Sequence, residues 1–499
     1  MSKKKKLKPE ILTIDPSTAM LERFIPLLST AELELLQLEL SKPLYPSLRI
    51  NPLKVSDPQN AMVNWTKRYG WGTQPVPYCN LGHWITASPQ PISKTVEHSL
   101  GHYYIQDAAS MLPVELFDFS HLPQNALILD MAASPGGKTT HLISKTADKA
   151  LVLANDSSRD RLTALRIVLQ NWNSGHTAIT NYPGEYFGAW YPEMFDYILL
   201  DAPCSMQGLR ATDAHPLRPI TQKEINALAQ RQAKLLESAL LALKVGGQVV
   251  YSTCTLTPEE DEGVLQSILE RFPGAVCIDP LDQLLANPSP GLTQYQGQPY
   301  HRMVRHAARL WPHSFGTAGF FAARLTKTGS IQGKHKDPPL RALHLTGWYP
   351  LEDAAIRKLV NAIDTGYAID LEALLEQHNW EIWQYKDNLY LFPRLFLDHF
   401  SELPVQSLGL ALGEFSAEEL QLSHEFISRF GGLAQSGLHH ITEDELILWM
   451  RGEDLSYRTE ITALPPVLIM VDPYGRIVGR GKPTAGRLRN LLPKRALIH

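Results

Sequence analysis

Between Gln106 and Leu325 the hydrophobic positions fall into short blocks separated by amphipathic runs. ALILDMAA (Ala126–Ala133), ALVLANDSS (Ala150–Ser158), the weaker TAITNY (Thr177–Tyr182), FDYILLDAPC (Phe195–Cys204) and GQVVYSTC (Gly247–Cys254) are close to continuously apolar and end in polar or Gly-rich strings. Blocks of this kind read as strands buried on both faces. KTTHLISKTA, RDRLTALRIVLQNW and EINALAQRQAKLLESALLAL (Glu224–Leu243) lie between them and carry helical spacing. The alternation predicts an α/β fold, a parallel sheet covered by helices on both sides. GFFAARL (Gly319–Leu325) closes the region and is expected as an antiparallel edge strand.

The flanks follow other patterns. Residues 1–105 hold two helical runs, Ser17–Leu28 and Thr30–Leu40, then SLRINPLK (Ser47–Lys54) and Trp-Gly-rich turns, which predicts a small α+β cap. Thr326–Pro339 is polar and rich in Gly and Pro, and reads as a linker. Residues 341–407 alternate helix and short strand, and from Leu408 short strands such as VLIMVD follow. The expected divisions are therefore 1–105, 106–325, 326–340, 341–407 and 408–499. The last ends in GRIVGRGKPTAGRLRNLLPKR (Gly475–Arg495), with seven Lys or Arg and no acid. That run is read as a nucleic-acid contact, or else as a solvated basic end.

Composition narrows the class. With 499 residues the chain is too long for one ordinary domain. No apolar run approaches ~18 residues, so no membrane span is expected. MSKKKKLKPEILTIDP is basic but lacks the apolar core of a secretory signal, and is expected to be a solvated tail. Net charge is −4, so nucleic-acid binding would depend on local basic surfaces. Cys79, Cys204, Cys254 and Cys277 are widely spaced and form no CxxC pair, so neither a zinc site nor a disulfide framework is expected. A reduced, cytoplasmic monomer follows as the expectation.

Candidate chemistry gathers at the strand ends, where open parallel sheets bind ligands. DMAASPGGKT (Asp130–Thr139) offers Gly136 and Gly137 for close backbone approach and a helix start that favours an anionic group, or is simply a tight turn. Asp156 ends the second strand, placed for ribose hydroxyls or as a helix cap. DAPCSMQG (Asp201–Gly208) and YSTC (Tyr251–Cys254) end the fourth and fifth strands. One Cys at a strand end is as often core filling as chemistry. If the two strands are neighbours, Cys204 and Cys254 face one pocket.

QDAAS (Gln106–Ser110), DMAASPGGKT, NDSS, FDYILLDAPCS and YSTCTLTPEEDE, in that order and spacing, resemble the Nol–Nop–Sun family of RNA cytosine-5 methyltransferases. The resemblance covers roughly residues 20–325. The C-terminal LGLALGEF and GRGKPTAGRLRNLLPK resemble the PUA-like region of its bacterial RsmF-like group, which acts on small-subunit ribosomal RNA. It implies a Rossmann-like methyltransferase core that uses S-adenosyl-L-methionine, an N-terminal RNA-binding subdomain and a PUA-like RNA-binding end. It implies Cys254 as the nucleophile on carbon 6 of cytosine and Cys204 as the thiol that helps release product. Asp201 would hold the cytosine edge, and Lys138 would supply positive charge. Ala132, Ala133, Ser134, Pro135, Gly136, Gly137, Lys138, Asp156 and Asp201 would contact the cofactor. Glu259 and Glu260 match the family's acidic pair, or act as first-turn acids of a helix.

The chain also departs from the family pattern. Pro183 stands where an acid–Gly pair usually contacts the cofactor, with Asn181 as a possible substitute. Met206 replaces a Gly in the loop after Cys204, SMQGLRATDAHP, and Ala318 stands where an acid is common. Two classes of function therefore remain: an RNA methyltransferase acting on small-subunit ribosomal RNA or transfer RNA, and a decayed relative serving as an RNA-docking factor. The retained thiol pair, Lys138, Asp156 and Asp201 favour the enzyme.

Overall fold

The computed structural model describes residues 21–210, 218–281, 285, 289–416, 419–457 and 465–498. The basic tail at the N-terminus and the ATDAHP part of the loop after Cys204 lie outside the described residues. Helix Thr30–Leu40 starts where the pattern places it, because Ser29 and Glu32 close a reciprocal cap. Four antiparallel strands follow: β1 (Ser47–Ile50), β2 (Gly72–Val76), β3 (Cys79–Ala87) and β4 (Tyr103–Ile105), in the order β2-β3-β1-β4. Helix Pro58–Tyr69 buries Met62 and Trp65 against them.

The apolar blocks become β5 (Leu127–Asp130), β6 (Leu151–Asn155), β7 (Thr177–Thr180), β8 (Phe195–Asp201) and β9 (Leu243–Thr253). All pair in parallel, in the order β7-β6-β5-β8-β9. Strand order reverses between β5 and β8, the place where such sheets open a crevice for ligands. Apolar side chains pack on both faces, which is why the strands read as unbroken hydrophobic runs. Helix Gln222–Ala242 covers one face, and a Thr221–Glu224 capping box fixes its start.

Beyond β10 (Val276–Ile278), a small hairpin of β11 (Gln294–Tyr295) and β12 (Gln298–Pro299), and β13 (Ala308–Leu310), the chain enters β14 (Phe320–Lys327). β14 is antiparallel to β9, as the pattern predicts. It is not an edge, because β10 and β13 pair along it. Residues 328–342, without helix or strand, then run over the parallel-sheet core, where the Lys336 amide donates to the carbonyl of Ala189.

Two five-stranded sheets make up the C-terminal part. The first runs β15 (Trp348–Pro350), β16 (Trp380–Tyr385), β17 (Asn388–Pro393), β19 (Leu410–Ser416) and β20 (Glu419–Leu422). Between β17 and β19 the two-residue strand β18 (Ser407–Leu408) leaves that sheet and pairs antiparallel with β7, becoming the last strand of the core sheet. The second sheet comprises β21 (Leu438–His440), β22 (Leu455–Ser456), β23 (Leu468–Val471), β24 (Ile477–Thr484) and β25 (Arg487–Asn490). A division at 407/408 therefore cuts a sheet whose β17 and β19 exchange hydrogen bonds. The sheets separate after Leu422, since backbone pairing holds β15–β20 together.

Four of the seven basic residues in the C-terminal run have internal partners. Arg476 pairs with Glu97 and Asp472, Arg487 with Asp454, and Arg495 with Glu425, while Arg480 donates to the carbonyl of Leu422. Lys54 extends the same junction: its ammonium donates to the carbonyls of Leu100 and Asn171 and to Ser428. Three regions distant in sequence thus meet at one buried seam. Among the described residues, no helix is long and apolar enough to cross a membrane.

Candidate active site

Parallel pairing sets Asp201, the last residue of β8, opposite Ser252 in β9. The chain leaves β8 through Pro203, Cys204 and Ser205, and leaves β9 through Cys254. Adjacent strand ends therefore bring the two thiols to 3.0 Å, Sγ to Sγ, as free cysteines, each partly exposed. The hydrogen bond to Cys254 holds the Cys204 thiol well above its ordinary pKa, and burial and the charges of Cys254 and Glu260 add to this. Cys204 thus keeps its proton while facing the other sulfur.

Lys138, the second residue of helix Gly137–Lys145, crosses the ligand crevice to Asp201, Nζ to Oδ2 at 2.7 Å. Ser252 donates to the other carboxylate oxygen at 2.8 Å. Burial alone would lower the Lys138 pKa. The Asp201 carboxylate, with Cys254 and Asp130, instead raises it above the ordinary value. Lys138 therefore keeps its positive charge beside Asp201 and Cys254.

The loop after β5 crosses the end of β6. Ala133 donates its amide to the carbonyl of Asn155, and Ser134 donates its amide to Asp156 Oδ2. Asp156 Oδ1 accepts from the amide of Ser158, so the carboxylate ties its own turn to the loop. Ala132 is half-buried and Pro135 exposed, while Ala133, Ser134, Gly136 and Gly137 are buried. Gly136 has a φ of +113°, and a Cβ there would press on Leu165 and Val168; one on Gly137 would press on Tyr104. Both glycines therefore leave room for neighbouring side chains of the protein itself. Asn181 donates to the carbonyl of Asp156 at 2.7 Å, and Pro183 begins the turn Gly184–Tyr186.

The donor set of the crevice suits a cationic ligand. Asp130 Oδ1 is buried without a hydrogen-bond partner, while Oδ2 accepts from Thr139. Burial raises the Asp130 carboxyl to about 7 against the Thr139 hydrogen bond, and Asp201 and Asp156 add to the rise. Three carboxylates that repel one another at the strand ends are the surroundings that a sulfonium and an ammonium group would relieve.

On the substrate side, Met206 has a φ of +59°, in the left-handed region where glycine is the favoured residue. Gly208 lies so close to the carbonyls of Gly319 and Cys254 that a Cβ would come within 3.0 Å of both. Ala318 is half-buried on the neighbouring turn. Glu259 and Glu260 precede helix Glu262–Arg271 rather than lying in its first turn. Glu260, Asp261 and Glu262 are buried. Arg309 grips Glu262 through Nε and Nη2, and Thr253 donates to Asp261. Glu260 accepts from the amide of Ser205 and from Gln232, and Glu259 accepts from Gln222. Nothing in the sequence pattern singles out Gln232 or Arg309, because both partnerships join positions far apart in the chain.

Cys79, Glu115 and His141 also bring three donor atoms within 4.8 Å of one another, behind helix Gly137–Lys145. Lys145 already occupies Glu115, and the Arg49 guanidinium acts on both His141 and Cys79, so added positive charge has little to recommend it there.

Residues 120–326 match the family model described as 16S rRNA methyltransferase RsmB/F, and residues 18–108 match the N-terminal domain of 16S rRNA methyltransferase RsmF. The ribosomal RNA small subunit methyltransferase F of Aeromonas salmonicida is 33% identical over 91% of this chain and 91% of its own length. That of Klebsiella pneumoniae is 34% identical over 91% of this chain and 90% of its own. A crystal structure of a methyltransferase homolog from Pyrococcus horikoshii superposes with a TM-score of 0.52 at 31% identity, covering 63% of this chain and all of that one. The chain therefore belongs to the RsmB/F family of RNA methyltransferases, enzymes with a Rossmann-like core that use S-adenosylmethionine as methyl donor.

Proposed function

We propose that this chain methylates carbon 5 of a cytosine in small-subunit ribosomal RNA through a transient bond between the base and Cys254. The observation that carries the reading is the thiol pair, 3.0 Å apart beside the Lys138–Asp201 ion pair. S-adenosylmethionine, held by Ala132–Lys138, Asp156 and Asp201, supplies an electrophilic methyl group.

Carbon 5 of cytosine is a poor nucleophile. Attack of the Cys254 thiolate on carbon 6 forms a C–S bond and pushes electron density onto carbon 5, which then takes the methyl group. Lys138 stabilises the thiolate, and Asp201, steadied by Ser252, holds the polar edge of the base. Water takes the proton from carbon 5, the freed C–H electron pair restores the ring double bond, and the Cys254 sulfur leaves carbon 6 as a thiolate. Cys204, kept protonated, assists that last stage. The target base has to leave its stack to reach the thiols. The N-terminal sheet and the PUA-like C-terminal region position the RNA through its backbone. Lys482, Arg489 and Lys494, without ion-pair partners among the described residues, remain for that contact. The protein works in the cytoplasm as a monomer without a metal.

RNA carrying 5-fluorocytosine tests the reading, because fluorine cannot leave carbon 5 as a proton does. The native protein with S-adenosylmethionine is expected to form a denaturant-resistant adduct, and Cys254→Ala none. A native protein that forms no adduct is a docking factor. Methyl mapping by bisulfite sequencing assigns the substrate, and a signal confined to transfer RNA replaces the ribosomal assignment.

A further inference from the structure

Cys204 is gripped on both sides. The side-chain amide of Gln232 donates to the carbonyl of Pro203 at 2.9 Å and to Glu260 Oε2, also at 2.9 Å. The same Glu260 oxygen accepts the amide of Ser205 at 2.9 Å. The peptide groups immediately before and after Cys204 are thus tied to one Gln–Glu pair. Gln232 comes from the long helix Gln222–Ala242, and Glu260 from the turn that follows Cys254. Glu260 is itself fixed, since its amide donates to the carbonyl of Thr257 and its carbonyl accepts from the Tyr251 hydroxyl. Ser205 and Thr255 join hydroxyls at 3.1 Å and complete the tie between the two cysteine-bearing turns. Both Gln232 and Glu260 are fully buried, so water does not compete for these bonds.

We infer that Glu260 and Gln232 form a clamp that holds Cys204 in register with Cys254, and that they are positioning residues for the release of methylated RNA. The inference rests on the proposed roles of the two thiols. A buried carboxylate is an expensive way to pin a turn. It suits a thiol that must stay protonated, because its charge opposes a second negative charge nearby, and Glu260 is among the groups that raise the Cys204 pKa. Removing the clamp leaves Cys254 on its own strand end, still able to attack. What is lost is the alignment of Cys204 when the C–S bond must break.

The test uses the full chain with natural cytosine RNA and S-adenosylmethionine. Glu260→Ala opens one jaw, Gln232→Met opens the other while keeping the carboxylate, and Glu260→Gln restores an oxygen for the Ser205 amide. Cys204→Ala is the reference. Both jaw variants are expected to lower turnover on the order of 10- to 100-fold, to leave KM for RNA within about twofold, and to accumulate a denaturant-resistant RNA adduct as Cys204→Ala does. Glu260→Gln is expected to recover part of the turnover and lose most of the adduct. If Cys204→Ala accumulates the adduct while both jaw variants lose adduct formation in step with turnover, or keep native turnover, the clamp is overturned and the thiol roles stand. If Cys204→Ala itself accumulates none, the role of Cys204 falls and the clamp falls with it. Gln232→Met retains the Glu260 charge, so a folding failure confined to Glu260→Ala still leaves a deciding variant.

Discussion

Arg476, in the second C-terminal sheet, donates to Glu97, 379 residues earlier in the chain, and the receiving carboxylate is completely buried. Arg68 and Tyr69 donate to the same carboxylate from the N-terminal unit. Glu97→Gln removes the charge while keeping the shape, leaving Arg68 without its carboxylate and Arg476 with Asp472 alone. It is expected to destabilise the protein by about 3 kcal/mol, read as a lower urea midpoint at an unchanged slope.

Ser252 touches the chemistry only through Asp201. Ser252→Ala frees one carboxylate oxygen of Asp201 and leaves Lys138 on the other. Single-turnover methyl transfer is expected to slow about tenfold. The melting temperature should stay within about 2 °C, because the lost bond contributes on the order of 1 kcal/mol.

Met206 holds a left-handed backbone that its side chain disfavours. Met206→Gly is expected to stabilise the protein by about 1 kcal/mol, seen as a rise in melting temperature. A fall would mean that contacts of the Met206 side chain outweigh the backbone strain.

His424 is buried at the seam, and burial, with Lys54, Arg495 and Arg480 adding to it, pushes its pKa well below the ordinary value. The unfolded chain takes up a proton near pH 6.5 that the folded chain refuses. This contribution is therefore complete above about pH 6.5 and is lost as the pH falls below it. His424→Gln is expected to flatten the decline in stability by about 1.4 kcal/mol per pH unit between roughly pH 6 and 5. Urea titrations at several pH values measure the slope.

Gly175 marks a contact between the core and the first C-terminal sheet. A Cβ there would lie 2.0 Å from Cζ2 of Trp380, which is itself buried. Gly175→Ala is expected to destabilise by about 2 to 3 kcal/mol. A lower urea midpoint measures the loss.

The core strands were readable because burial on both faces leaves unbroken apolar runs; even the weak Thr177–Tyr182 block contains β7. The thiol pair was readable conditionally. Strings at two strand ends give the residues, and only the β8–β9 pairing gives the 3.0 Å. Partnerships closed by tertiary packing leave no local trace. Gln232 looks like one polar position among many on an amphipathic helix. The C-terminal arginines look free because Glu97, Asp454 and Glu425 lie elsewhere in the sequence. The strand Ser407–Leu408 has two residues, too few to show any period.

That short strand has a consequence for the newly made chain. β7 can be synthesised, folded and stacked on β6 long before the ribosome reaches Leu408. At about 5–20 residues per second the interval is roughly eleven to forty-six seconds. Throughout it, the amides and carbonyls along the outer side of β7 are open to any passing strand. A nascent molecule stalled or cut short in that window would offer its neighbours a sticky margin that the finished one has sealed with its own later residues.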